Sequence, residues 1–428
     1  MGIISSDKAA LVFGASGISG WAVTKSLLEY PTPSTFSRVI GLTHRPQMRE
    51  DLGLPEDPRL EVYSGINLRA DLDEVMNQMH ETIPHLDQVT HVYYLAYSNA
   101  TAYTENVMEI KRINVAMTYN AVHASDRLCK NMSFFVLQTG TNNYGVAVFQ
   151  HIDKLTFPTP LKEDAPRVPS PYGDEIFYYG QVDLIREAVQ GKSWGWCEVR
   201  PDAIIGHVPS TTSMTTVEPI ALYLSLYRYV NGPGATVPFP GTPTNYVYTY
   251  TDSSQDIISR AEIYLSVVKP TEANGEAFNI ADTATLGPWS IKWPILTEYF
   301  GLKATGPTQK DYAPFEQWWN DHQDDYDRMC KEYGLKKRVI GPETWIFVYA
   351  GFKLLDRNRE FSLDKIRSIG FTEERPVGQG HIAAFDRMAA AHIIPSPAQL
   401  RLSEPGAERK EEFSTHVPSA AAKVSSVL

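Results

Sequence analysis

The sequence predicts an α/β protein: a doubly wound parallel sheet, covered by helices on both faces, followed by a smaller, mostly helical region. Over the first 205 residues, short apolar runs of strand length alternate with helix-like segments. The runs are almost continuously apolar, which is typical of parallel strands buried on both faces. After about residue 206 this alternation is lost, and proline, threonine and aromatic residues dominate as far as Tyr250.

The elements follow in order along the chain. Glycine, proline or polar turns bound six predicted strands, at residues 9–13, 38–42, 60–64, 90–95, 133–139 and 197–199. Helical segments are predicted at 21–28 and 104–125. We therefore predict a sheet domain at 1–205 and a substrate-binding region at 206–400 that returns some elements to the sheet. Residues 401–428, rich in Ala, Ser, Pro and charge, form a predicted disordered tail.

Composition excludes several classes of function. Against 39 basic residues stand 50 acidic ones, a net charge of −11 with no basic stripe, so nucleic acid is not an expected partner. The three cysteines lie far apart without metal-ligand spacing, which predicts neither disulfides nor a metal site. The first apolar run, residues 9–13, is only of strand length and follows no positively charged region with a cleavage site, and no window has the uninterrupted apolar length of a membrane span, so we expect a cytoplasmic protein.

The loop after the first strand carries the sharpest motif, with glycines at Gly14, Gly17 and Gly20. Between a strand and a helix, such glycines permit a tight turn, close approach of a pyrophosphate and close helix packing. This predicts a Rossmann-type dinucleotide site, with Ser16 and Ile18 as further contacts in the loop.

The end of the second strand indicates which dinucleotide binds. NAD binders present an acidic residue here, whereas this chain has His44 and Arg45 and no acidic side chain between Gly41 and Pro46. A guanidinium suits a 2′-phosphate, so the predicted cofactor is NADPH.

The Gly-x-x-Gly-x-x-Gly spacing resembles that of the short-chain dehydrogenase/reductase superfamily. Within it, the chain resembles the progesterone 5β-reductase and iridoid synthase-like (PRISE) family, an extended branch. The resemblance spans about residues 9–396 and is carried by the segments 89–94, 137–140, 177–179 with Asp183, 200–206, 276–279 and 368–371.

The resemblance implies hydride transfer from NADPH to the β-carbon of an α,β-unsaturated carbonyl compound, in small-molecule or secondary metabolism. The family's catalytic tyrosine falls on Tyr178, whose phenol would stabilise the developing enolate. The chain departs from the family at Asn142, where a lysine is expected. Asparagine donates hydrogen bonds but lacks the charge that would hold the nicotinamide ribose and lower the tyrosine pKa. Lys154 is the nearest lysine that could reach back.

Further cofactor contacts are predicted where strands end, because ligands of doubly wound sheets bind outside the carboxyl ends. They are Asn67 for the adenine, Leu95 and Ala96 after the fourth strand, Thr139 after the fifth, and Pro201 and Ile204 on the nicotinamide face. Asn114, in the long helix, matches a family asparagine, but a surface role is an equal alternative.

The second region supplies many apolar and aromatic side chains, which suit a terpenoid, polyketide or steroid-sized enone or ketone. For most of them a plain core position is the simpler interpretation. The set is Met214, Tyr223, Tyr227, Tyr246, Tyr248, Trp318, Trp319, Trp345 and Phe347.

Three functions remain open at this point. The first is an NADPH-dependent enone reductase. The second is a carbonyl reductase, or a cyclase or isomerase without net redox chemistry. The third is a catalytically silent NADP-binding protein, suggested by Asn142. A homodimer is compatible with the sequence, although no residue pattern demands one.

Overall fold

The computed structural model describes residues 8–98, 107–210, 214–310 and 315–402. Its strands, in chain order, are β1 (Lys8–Phe13), β2 (Phe36–Thr43), β3 (Leu60–Ser64), β4 (His91–Tyr94), β5 (Phe134–Gln138), β6 (Gly195–Pro201), β7 (Ala203–Ile205), β8 (Thr236–Pro238), β9 (Asp252–Ser254), β10 (Ala277–Ile280) and β11 (Lys303–Thr305).

The α-helices are α1 (Ile18–Ser26), α2 (Leu72–Thr82), α3 (Val107–Leu128), α4 (Phe177–Ala188), α5 (Val217–Asn231), α6 (Pro243–Val247), α7 (Gln255–Ile263), α8 (Pro270–Ala273), α9 (Trp289–Tyr299), α10 (Phe315–Asp321), α11 (Gln323–Tyr333), α12 (Pro342–Tyr349), α13 (Asp364–Ser368), α14 (Gln379–Ala390) and α15 (Pro397–Leu402). Two π-helical turns, Tyr264–Val268 and Ala350–Leu354, extend α7 and α12. In the described ranges, no helix combines the length and the apolar character that crossing a membrane requires.

The central sheet has seven parallel strands in the order β10-β6-β5-β4-β1-β2-β3. The chain reverses its direction of progress across the sheet between β1 and β4. In this topology a ligand crevice opens at the carboxyl ends of the strands, beside that switch point.

Helices cover both faces, because alternate strand residues point to opposite sides. On one face Val12 packs in a cluster with α1 and α7, and Ser26 and Ser259 join these helices through a 2.8 Å hydrogen bond. On the other, Leu11 packs in a cluster with α2, α3 and α4. The predicted doubly wound α/β fold is confirmed.

The region after β7 has a hydrophobic core of its own. Its members are aliphatic and aromatic and come mainly from α5, α9, α10, α11, α12 and α14, as well as from the π-helical turn Ala350–Leu354. Two small parallel sheets, β7–β9 and β8–β11, lie in the same part of the chain. This core holds the segments that face the carboxyl ends of the central strands.

The structure adjusts several boundaries. Pro201, expected after the sixth strand, is the last residue of β6, and the seventh strand, β10, comes from the region after residue 206. The helix predicted at 104–125 is described from Val107 and continues to Leu128. Residues 104–106 lie outside the described residues. So does the predicted tail, except for residues 401–402, which end α15.

Candidate active site

The glycine loop lies directly against the end of β4. Gly14 has a φ of +89°, and a Cβ added there would lie 2.8 Å from the carbonyl oxygen of Leu95 and 2.9 Å from the amide nitrogen of Ala96. A Cβ on Gly20 would lie only 2.1 Å from the carbonyl oxygen of Gly14. The amide of Gly14 also donates to the carbonyl of Leu42 at the end of β2. The loop is therefore fixed between β2 and β4, with room for glycine alone at Gly14 and Gly20.

The start of α1 is open for an anion. Gly17 is the N-cap residue, and the first turn has neither a side-chain cap nor an acidic residue. The first amides of a helix have no partners within the helix and carry its positive dipole end. Ile18 and Ser19, in this turn, line the cavity described next.

A cavity of about 930 Å³ lies at the carboxyl ends of the central strands. It brings together fourteen of the fifteen predicted site residues: Gly14, Ser16, Gly17, Ile18, His44, Arg45, Asn67, Leu95, Ala96, Thr139, Asn142, Tyr178, Pro201 and Ile204. Gly20 is not among the lining residues, and its contact with Gly14 makes it a helix-packing position instead. The functional roles of these residues remain predictions.

The edge of the cavity near β2 is basic. His44 and Arg45 are exposed there, and Thr43 Oγ1 donates to the carbonyl of Arg45 at 2.9 Å. Arg69, which the sequence analysis missed, also lines the cavity and donates to Ser98 Oγ. Within the described lining, the segments that follow β2 and β3 contribute no acidic side chain.

Asn114 holds the backbone at the exit of β4. Its Oδ1 accepts from the amide of Ser98, and its Nδ2 donates to the carbonyls of Ser98 and Ile110, all at 2.9 Å. Asn114 is fully buried and does not line the cavity. It therefore positions the chain beside the cavity, and the surface alternative is wrong.

Tyr178 lies in the first turn of α4. The next residue, Tyr179, donates its hydroxyl to the carbonyl of Asn143 at 2.6 Å, which ties the start of the helix to the loop after β5. A Cβ added to Gly140 would lie 3.4 Å from the Tyr178 hydroxyl and 3.3 Å from the carbonyl oxygen of Pro201. The phenol is thus placed between the ends of β5 and β6.

A buried carboxylate anchors the loop after β5. Glu198 accepts from Thr139 Oγ1 at 2.6 Å and from Asn143 Nδ2 at 2.8 Å, and its other oxygen pairs with Arg200 at 2.8 Å. Its side chain is 1% exposed. Because Asn142 lies between two of these anchored positions, its location at the cavity is fixed.

Asn142 itself is held through its side-chain oxygen. Oδ1 accepts from the amide of Ala147 at 3.0 Å, which leaves Nδ2 as the donor. None of the described lining residues is a lysine. Lys154 is exposed and pairs with Asp153 at 2.7 Å, so it does not take the place of the missing lysine.

The region after β7 closes the cavity with apolar side chains. Met214 and Phe347, both predicted, line it together with Ile205, Tyr250, Trp289, Phe352 and Leu355, which were not predicted. Tyr223, Trp319 and Trp345 belong to the hydrophobic core instead; Tyr227, Tyr246 and Trp318 pack against it, and Tyr248 is not among the lining residues. The core interpretation holds for most of that set.

Charged residues that the sequence did not predict lie next to these apolar side chains. Lys292 is fully buried, with Nζ 2.9 Å from Asp252 Oδ1 and 3.4 Å from the centroid of the Tyr250 ring. Burial lowers the pKa of Lys292 to about 8. Asp202 and Arg359 line the cavity nearby. Burial raises the pKa of Asp202.

Metal ligands are not clustered in the described ranges: no group of three or more His, Cys, Asp or Glu side chains is placed to hold an ion. Cys129, Cys197 and Cys330 are buried free thiols.

Comparison with known proteins adds a family match. The model of the PRISE-like Rossmann-fold domain matches residues 10–395. Short chain dehydrogenase ausT of Aspergillus calidoustus is 55% identical over 92% of this chain and 96% of its own. Short chain dehydrogenase sirQ of Leptosphaeria maculans is 35% identical over 90% and 97%. The 3-oxo-Delta(4,5)-steroid 5-beta-reductase of Arabidopsis thaliana is 26% identical over 91% and 94%.

Solved structures agree with the architecture. The epimerase Mth375 of Methanothermobacter thermautotrophicus has a TM-score of 0.59 at 16% identity, over 92% of this chain and 95% of its own. DesIV, a dTDP-glucose 4,6-dehydratase of Streptomyces venezuelae solved with NAD bound, has a TM-score of 0.55 at 13% identity, over 89% and 97%. At these identities the likeness concerns the fold alone.

Proposed function

The chain belongs to the PRISE-like Rossmann-fold domain family and is an enzyme of the short-chain dehydrogenase/reductase type, and on this basis we propose that it is an NADPH-dependent reductase of α,β-unsaturated carbonyl compounds. The reaction adds a hydride to the β-carbon of an enone and a proton to the α-carbon. One observation carries the proposal: Tyr178, Asn142 and the glycine loop line the same cavity. A relative named as a steroid 5-beta-reductase supports this reaction class.

The described residues fit a phosphorylated nicotinamide dinucleotide. The close packing of Gly14 on Leu95 holds the loop at the end of β4, and the first turn of α1 leaves its amides open for the pyrophosphate. Arg45 and His44 would bind the 2′-phosphate, with Arg69 close by. When bound, NADPH supplies the hydride.

Tyr178 would donate its hydroxyl proton in a hydrogen bond to the carbonyl oxygen of the enone. As hydride adds at the β-carbon, negative charge develops on this oxygen, so the bond strengthens in the transition state. Asn142 Nδ2 would add a neutral donor. A neutral hydrogen bond can stabilise an enolate that is protonated at carbon afterwards, so reduction does not require the missing lysine.

The apolar wall of the cavity indicates the substrate class. Tyr250, Trp289, Phe347 and Phe352 offer large apolar surfaces opposite the cofactor side. We therefore propose an apolar enone of terpenoid, polyketide or steroid size, in secondary metabolism.

Consumption of NADPH by the purified protein tests this function. The panel is cyclohexenone, a linear enal and progesterone, beside saturated ketones and the Tyr178→Phe variant. We expect enone-dependent oxidation that falls by about 100-fold in Tyr178→Phe, the loss typical of one oxyanion donor. Oxidation with saturated ketones alone would show carbonyl reduction instead. NADPH binding without oxidation by any compound would contradict the proposal.

A further inference from the structure

Arg359 brings a buried positive charge to the substrate side of the cavity. Its amide donates to the carbonyl of Thr249 at 3.0 Å, and its guanidinium carbon lies 4.3 Å from the centroid of the Tyr250 ring. The side chain is 5% exposed, and the residue lines the cavity. Arg359 is thus a nearly buried part of the cavity wall, and its guanidinium is not solvated at the surface.

The protein leaves this guanidinium without acceptors. Nε and Nη1 of Arg359 are buried and have no hydrogen-bond partner in the part of the chain that the structure describes. Its ion-pair partner, Asp202 Oδ2, is 4.0 Å from Nη1, which exceeds hydrogen-bonding distance. A buried charged donor without an acceptor is costly, and a ligand that supplies an acceptor removes that cost.

Of the neighbouring acidic groups, Asp252 and one oxygen of Asp202 have other partners, whereas Asp202 Oδ1 is buried without a partner among the described residues. Asp202 Oδ2 accepts from the amide and the hydroxyl of Thr251 at 3.0 and 3.1 Å. Asp252 pairs with Lys292 at 2.9 Å. Asp202 already places a carboxyl group 4.0 Å from Arg359. A ligand carboxylate would add a second negative charge beside Asp202, whereas a carbonyl oxygen accepts hydrogen bonds without one.

We propose that Arg359 donates hydrogen bonds to a second, uncharged oxygen of the substrate, the carbonyl oxygen of a ketone, ester or lactone distant from the reacting enone. The apolar side chains of Tyr250, Trp289 and Phe352 line the same cavity and pack against the hydrocarbon between the two oxygens. Arg359 is then the residue that selects dioxygenated substrates. This inference rests on the proposed function for the position of the reacting enone.

Two bicyclic enones with the same reacting ring test the inference, one with a ketone on its distal ring and one without. We expect the wild-type kcat/KM to be at least about tenfold higher for the diketone, equivalent to ~1.4 kcal/mol. Arg359→Met removes most of this preference. Arg357→Met is the matched control, because Arg357 stacks on Phe157 and does not line the cavity. It retains the wild-type ratio.

Two results overturn the inference. One is equal kcat/KM for the two enones in the wild type, and the other is an undiminished preference in Arg359→Met, whether or not both kcat/KM values fall. Arg359→Lys keeps the charge beside Asp202 but lacks the planar fork of donors. We expect Arg359→Lys also to lose most of the preference for the diketone. If Arg359→Met does not fold, Arg359→Lys is measured in its place.

If no enone is reduced, the proposed function is wrong, but the inference about Arg359 can still be tested by binding. The affinities of the two compounds for the NADPH-loaded protein, from tryptophan fluorescence, then decide the inference. Tighter binding of the diketone by the wild type but not by Arg359→Met supports it. Equal or absent binding overturns it.

Discussion

At the residue scale, Asn142, Tyr178 and Arg359 all line the cavity, but the chain brings them there in different ways. Motifs place single residues relative to nearby glycines and strand ends, and the cavity keeps Asn142 and Tyr178 together. Arg359 and Asp202 are far apart in sequence and meet only through tertiary packing. The position of Asp202, directly after the Arg200–Pro201 pair at the end of a predicted strand, was the one available signal.

Asn142→Lys tests the departure from the family pattern. Asn142 lines the cavity, so the new ammonium would add a positive charge near the developing enolate. We expect enone turnover at neutral pH to rise about tenfold, or ~1.4 kcal/mol in the barrier. Steady-state NADPH oxidation measures it, with Asn142→Met as a control of similar size without donors. Unchanged turnover in a lysine variant that binds NADPH normally would contradict the assigned role.

Arg45→Glu tests the choice of cofactor. A carboxylate at this position repels the 2′-phosphate, so we expect the Kd of NADPH to rise at least about tenfold while that of NADH stays similar. Fluorescence titration with both cofactors measures this. Arg49→Glu is the control, because Arg49 pairs with Glu50 and does not line the cavity. An equal change in both affinities for Arg45→Glu would refute the 2′-phosphate role.

At the scale of elements, the strands of the first 205 residues were easier to predict than β10 and the helices after β7. Buried parallel strands are continuous apolar runs, which local sequence reveals, and β3 has the predicted boundaries. The seventh strand, β10, joins the sheet after a long intervening segment, so its pairing with β6 depends on tertiary contacts. Helix α5, after β7, is buried on nearly all sides, which obscures any single amphipathic stripe.

Gly20→Ala tests the packing of α1 on the glycine loop. Its Cβ would lie 2.1 Å from the carbonyl oxygen of Gly14, so loop or helix must move. We expect a loss of about 3 kcal/mol in the free energy of unfolding, measured with urea. In Gly17→Ala the nearest atom is 3.5 Å away, and we expect a loss below about 1 kcal/mol. Equal losses would contradict this packing.

Glu198→Ala tests the anchor of the loop after β5. The variant leaves the guanidinium of Arg200 buried without its partner, so we expect a loss of about 3–5 kcal/mol in unfolding free energy. Glu276→Ala breaks an exposed pair with Lys365, for which about 1 kcal/mol or less is expected. Urea denaturation compares the two variants, and a loss for Glu198→Ala as small as the control's would show that the anchor is unnecessary.

At the scale of the whole molecule, two parts of the chain line the cavity, and the sequence predicts one of them better than the other. The cofactor side comes from strand ends, where the doubly wound topology dictates the location of a ligand. The substrate side comes from segments after β7, whose arrangement no local pattern specifies. The fold and the location of the cavity could therefore be predicted from sequence, but the substrate side only as a supply of aromatic residues, and the roles of the cofactor-side residues stay predictions.

The position of hydride delivery tests the central claim most directly. The protein is incubated with NADPH that carries deuterium at the transferable position, together with an enone that it consumes, and the product is analysed by NMR. We predict deuterium on the β-carbon of a saturated ketone. Deuterium on the carbonyl carbon of an allylic alcohol would contradict the account, because it would identify carbonyl reduction.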